Sequence, residues 1–202
     1  MVLSIGERIK GFLFSPSETF DASKEDTIGD AFKYFIVILA IYAVLSAIIG
    51  AVAFSLIWGM FSAFLPPGTL PLEVQQLGAA MGPLFAVVLF FGVLVGGIIE
   101  AFIIGLWSHL WVYLVGGRNG VGQTIKAVMY GMTPSCLIGW IPIVSIIAEI
   151  WALIVGIVGI RQLHKLSTGK AVLAVLIALF LPVIIIVAII VTLIATMSQG
   201  LV

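Results

Sequence analysis

The sequence predicts an all-α, polytopic membrane protein: a bundle of five transmembrane helices behind a short cytoplasmic or interfacial helical region. Its 202 residues are 62% hydrophobic and only 9% charged, where soluble domains carry ~25% charged residues. Mean hydropathy is +1.32. Apolar runs near or above the ~20 residues that cross a bilayer recur between short polar breaks. Finally, all the basic residues fall in alternate connections, as they do when every second loop is cytoplasmic.

Residues 1–30 form the one extended polar region and are read as a cytoplasmic amphipathic segment, with 31–202 as the transmembrane domain. In "MVLSIGERIKGFLF", Ile5, Ile9, Phe12 and Leu13 recur at helical spacing away from Glu7, Arg8 and Lys10. This suits a helix lying in the headgroup layer, or a tail folded back on the protein. "SPSETF" offers Ser15 as an N-cap, Pro16 at the first helical position and Glu18 to close a capping box. Thr27 and Asp30 repeat that spacing, so the first membrane helix is expected to begin near Ile28.

Five spans follow, at about 31–65, 84–115, 122–138, 142–160 and 171–196. "PPG" ends the first, "GGRNG" the second, "GWIP" the third and "RQLHKLSTGK" the fourth, and Pro182 is an expected kink in the fifth. Arg8, Lys10, Lys24 and Lys33 precede or open the first span. Arg118 and Lys126 flank the second loop of that side, and Arg161, Lys165 and Lys170 the third. The intervening connections and the C-terminal "SQGLV" carry none. The N-terminus is therefore expected in the cytoplasm and the C-terminus outside.

Charged residues inside a span cost ~2.5–3.5 kcal/mol on insertion scales and count as functional candidates. Glu100 in the second span and Glu149 in the fourth stand at similar depth, about 18–24 Å above their cytoplasmic ends. Thr133, Pro134, Ser135 and Ser46 fall near that depth by the same count, giving a candidate polar layer from four helices. Gly92 and Gly96 form a G-x-x-x-G before Glu100, and Ala152, Gly156 and Gly159 share a face with Glu149. Such small-residue faces are expected to pack helix against helix. Two readings of the glutamates stay open: a proton- or cation-linked site, or neutral acids that hydrogen-bond and pin helix register.

The remaining candidates read as structural. Arg118, Lys126, Arg161, His164, Lys165 and Lys170 are expected to face cytoplasmic headgroups, Lys126 by snorkelling. His109 lies half a turn of phase from Glu100 and is expected to be a hydrogen-bonded interfacial residue, not a relay partner. Cys136, the single cysteine, excludes an intrachain disulfide, and with two histidines it matches no metal-ligand spacing. "GGRNGVGQT" comes close to a phosphate-binding loop, but Gln123 replaces the lysine and a membrane helix precedes it, so it reads as a turn. Nine basic residues balance nine acidic ones, which points to no nucleic-acid partner. No H-E-x-x-H or G-x-S-x-G is present and no aspartate follows Asp30, so neither an enzyme nor a cofactor is expected.

The run from Tyr130 to Ala171 resembles the core of the Yip family of Ypt/Rab-interacting membrane proteins, in its broad prokaryotic branch. The resemblance is carried by Tyr130 followed by Pro134, the "P-x-x-x-x-I-x-x-I-W" flow of the fourth span, "GIR" at Gly159–Arg161 and the basic "HKLSTGKA" turn; "SP-x-E-x-F" at Ser15–Phe20 resembles the family's entrance. It implies a five-span protein with a cytosolic N-terminus and, in a prokaryote, a plasma-membrane location. Eukaryotic members bind prenylated Rab-type GTPases and one another, although their Asp-Leu-Tyr-Gly-Pro segment has no counterpart before this first span. The expected function is a non-enzymatic membrane protein that organises membrane or binds partners through helix association. Its expected partners are membrane lipids, further copies of itself and a small-GTPase-like protein. The alternative is a small proton- or cation-linked transporter or channel using Glu100 and Glu149, to which the breaks at Pro134 and Pro182 also point.

Overall fold

The computed structural model describes residues 3–199, and these are all-helical. Eight helices run α1 (Ile5–Phe14), α2 (Pro16–Ala22), α3 (Ile28–Phe64), α4 (Leu72–Leu114), α5 (Val121–Gly131), α6 (Thr133–Ile138), α7 (Ser145–His164) and α8 (Thr168–Gln199). Among the described residues four helices, α3, α4, α7 and α8, are long and apolar enough to cross a membrane. The predicted third span is in two pieces. Pro134 at the second position of α6 lacks the N–H that would continue α5, and the chain resets at Met132. Most of α5 and half of α6 are buried, so this segment lies largely inside the bundle. The tail expected on the far side lies outside the described residues from Gly200 onward.

Capping explains the starts. Thr27 and Asp30 make the expected box: Thr27 Oγ1 accepts from the Asp30 N–H, and an Asp30 carboxylate oxygen accepts from the Thr27 N–H. Ser4 and Glu7 make a second one that starts α1. Ser15 makes no side-chain cap to α2; the first position is held by Pro16 alone. Helix α4 begins twelve residues before the predicted second span and runs through Pro83. Gly78 and Gly82 bring it against Trp58 and Ser55 of α3, and this close packing extends the helix past the proline. At 37 and 43 residues, α3 and α4 are about 55 and 64 Å long, well beyond the ~30 Å hydrocarbon core. Beyond Ala47 nothing on α3 is buried, so the distal hairpin holds only to itself.

The N-terminal segment packs back onto the bundle with one face of α1. Phe12 of α1 and Phe20 of α2 are fully buried in the same core as α3, α5 and α7. Phe12 stacks on Tyr130 with ring centroids 4.6 Å apart, and Phe20 lies against Gly159, where any side chain would meet its ring. Gly159 is thus a close-packing position, as its face predicted, but its neighbour is an N-terminal aromatic and not a membrane helix.

Candidate functional site

The bundle's centre is shaped by which helices meet. Helix α4 packs on α5, α5 on α7, α7 on α8 and α8 on α4, whereas α4 and α7 make no extensive contact across this ring. The gap is a cavity of about 880 Å³, with α3 and α6 completing its wall. Glu100 of α4 and Glu149 of α7 both border it. They stand 14 residues above Leu114 and 15 above His164, so each is about 21–23 Å from its helix's basic end. Neither carboxylate has a hydrogen bond or an ion pair among the described residues, and both side chains are exposed rather than packed.

The predicted polar layer divides at α6. Ser135 borders the cavity, and its buried hydroxyl oxygen has no partner. Thr133 and Pro134, at other phases, turn into the packed core. Thr133 donates to the Tyr130 carbonyl at 2.6 Å, and the Tyr34 hydroxyl lies 3.0 Å from its oxygen. Ser46, one turn beyond Tyr42 on α3, does not border the cavity. Cavity-side aromatic groups come from Phe35, Tyr42 and Trp107, and among the described residues no lysine, arginine or histidine borders it.

The small residues open the cavity more than they close helix pairs. Gly92 and Gly96 line it, and a Cβ on either would meet nothing within 4 Å. The helix contact expected of them falls to Gly97, against Leu39 of α3, and Gly105, against Ile125 of α5. The reason is phase: positions 97, 101 and 105 form the buried stripe, and 92 and 96 stand off it. Ala152 and Gly156 also line the cavity, although the backbone of Gly156 receives Gly131 of α5 at a close crossing.

Pro182 has a partner the sequence did not reveal. A proline leaves the carbonyl four residues earlier without its helical donor, and here that carbonyl belongs to Ala178. The Trp107 indole N–H of α4 donates to it at 2.8 Å, which ties α4 to α8 along the cavity wall.

At the basic end every buried charge is matched. Arg8 is 4% exposed. It donates to Asp26 at 2.5 Å and to the Tyr130 hydroxyl at 2.6 Å, and Tyr130 in turn donates to Asp26 at 2.6 Å. Burial alone would raise the Asp26 carboxyl. Hydrogen bonds from Arg8 and Tyr130, with the charges of Arg8 and Lys126, outweigh it and hold Asp26 below the usual carboxylate range. Lys126 does not snorkel to headgroups: it is 2% exposed and donates to the Lys24 and Asp26 carbonyls at 2.8 and 2.6 Å. His164 is buried too, not lipid-facing. Its Nε2 lies 2.9 Å from the Thr124 hydroxyl, which also contacts His109 Nδ1 at 2.8 Å.

The other basic residues stay near the surface. Arg161 reaches Ser17 of α2, whereas Lys165 and Lys170 are exposed. Arg118 lies over the Tyr113 ring and donates to the Tyr113 carbonyl, closing the end of α4. The near phosphate loop is a turn: Gly116 and Gly120 adopt φ of 107° and 88°, which side-chain-bearing residues rarely adopt, and Gly120 starts α5.

The Yip1 domain family matches this chain over residues 10–191. The chain belongs to that family. Neither the curated proteins nor the solved structures contain a match to it. The Yip1 domain here is a multi-pass integral membrane fold, in agreement with the four long apolar helices. Within it, Tyr130 and Pro134 have plain structural work: Tyr130 is the floor of the N-terminal docking site, and Pro134 breaks the central helix. Sequence reasoning placed Arg8 on a polar face, yet Arg8 and Phe12 are one helical turn apart and are buried together. That i, i+4 pairing, with Asp26 downstream, was the available signal.

Proposed function

We propose that this Yip-type chain is a non-enzymatic membrane protein that takes up a cation between Glu100 and Glu149. Its basic end, with the docked N-terminus, faces the cytoplasm. The observation that carries this is the pair of unpaired carboxylates on one cavity, at one depth, from helices that do not pack together. Acids that serve only to pin helix register have to hydrogen-bond to do so, and these do not. Intramembrane acids beside an open space and a proline-interrupted helix are recurring features of ion paths. In proteoliposomes, the wild-type chain is expected to carry a proton or alkali-cation flux that Glu100→Gln with Glu149→Gln abolishes. An unchanged flux, or none in the wild type, contradicts passage of an inorganic cation.

A second reading, organisation of the membrane through partners or self-association, is favoured by a different observation. The docked α1–α2 segment turns Lys10, Phe14, Glu18 and Lys24 outward at the end that also exposes Arg118, Lys165 and Lys170. Cross-linking in native membranes tests it: recovery of a specific partner, a GTPase or a second copy supports it, and a strictly monomeric chain with no recovered partner counts against it.

A further inference from the structure

We propose that the cavity's ligand is an amphiphilic organic cation: a single-chain amine whose head is held by Glu100 and Glu149 and whose tail lies along the apolar wall. The inference shares the cavity with the function proposed above but requires binding only, not passage. The argument is one of complementarity between a volume, its lining and its charge. At about 880 Å³ the space falls within the ~300–1,000 Å³ of small-molecule sites. An inorganic cation would leave it to be filled by about thirty waters at ~30 Å³ each. The wall offers those waters little. Away from the two glutamates it is built mainly of Leu39, Val93, Ile104, Leu153 and similar side chains, which give those waters few hydrogen bonds. An alkyl chain solvates such a wall, and a cationic head relieves the two carboxylates that the chain leaves unpaired.

The lining also selects among amphiphiles. Among the described residues no basic residue borders the cavity, so an anionic or zwitterionic headgroup would bring a phosphate or carboxylate to a site that offers two carboxyl groups and no cation to pair with it. Trp107 and Tyr42 supply aromatic rings of the kind that attract organic ammonium groups. The Ser135 hydroxyl, buried and without a partner, is one more group able to accept from an ammonium head. Gly92, Gly96 and Gly156 leave the wall open where a side chain would otherwise project.

The test is equilibrium binding of radiolabelled dodecylamine to the full chain in lipid nanodiscs, with empty nanodiscs subtracted for partition. Saturable binding near one amine per chain is expected, at least tenfold weaker in Glu100→Gln/Glu149→Gln and not competed by dodecanol. Gly96→Leu, which fills the cavity from a position with free space, should abolish binding while leaving the unfolding midpoint near that of the wild type. Partition equal to empty nanodiscs overturns the proposal. So does saturable binding indifferent to the glutamates, or equal competition by dodecanol. If dodecylamine fails while a glutamate-dependent proton or sodium flux persists, the amphiphile assignment falls and the inorganic-cation reading stands.

Discussion

Two regions of this bundle carry ionisable side chains, and they treat them in opposite ways. At the basic end, Arg8, Asp26, Tyr130 and Lys126 form one network in which each charged group finds a partner within 2.8 Å. In the cavity, Glu100 and Glu149 have no hydrogen-bond or ion-pair partner among the described residues, and nearby glycines hold space open. An unmatched buried charge is costly, and a matched one roughly breaks even against apolar packing. The first region is therefore an assembly device that welds the N-terminal segment to α5. The second leaves two carboxyl groups exposed to a space that the packing does not fill.

Breaking the network should have the largest effect. Arg8→Ala strands the Asp26 carboxylate beside Tyr130, and loss of one member of a buried pair costs about 3–5 kcal/mol. The unfolding midpoint in detergent should drop accordingly, with early proteolysis near residues 15–27. Acid does part of the same work. Because the folded Asp26 titrates below its unfolded value of about 3.9, its contribution is complete above that pH and is lost as pH falls through the folded value. Hydrogen exchange across α1 and α2 should rise below pH 4 in the wild type, and Asp26→Asn should remove that dependence.

A smaller loss follows from Trp107→Phe, which leaves the Ala178 carbonyl without a donor. An orphaned buried carbonyl costs about 1–3 kcal/mol, and the loosening should be confined to the α4–α8 contact, read by exchange in α8 around Ala178. Smallest of all is the change in stability for Glu100→Gln with Glu149→Gln, within about 0.5 kcal/mol of the wild type, as for substitutions that break no contact.

The same contrast explains what the sequence made legible. The membrane class and the presence of long apolar helices came from one-dimensional signals: composition and apolar run length. Those signals are set by the bilayer, which acts on every helix alike. Lys126 and His164 were misplaced because a basic residue near a membrane boundary has two ways to satisfy itself, water or a buried carbonyl or hydroxyl. Only tertiary contacts with Lys24 and Thr124 decide between them. The third span was expected whole because Pro134 is tolerated at the start of a helix as readily as it interrupts one, and its role depends on where α5 stops. The Gly92–Gly96 spacing was read as a helix contact because a small-residue stripe lines a void and a crossing with the same letters.

The central claim is that the charges of the cavity serve a ligand and those of the basic end serve the fold. Measuring unfolding and cation uptake on one preparation of Glu100→Gln/Glu149→Gln tests it most directly. The account predicts an unfolding midpoint equal to or above that of the wild type, together with lost uptake of proton, alkali cation and dodecylamine. A midpoint lowered as far as that of Arg8→Ala, with uptake unchanged, would contradict it.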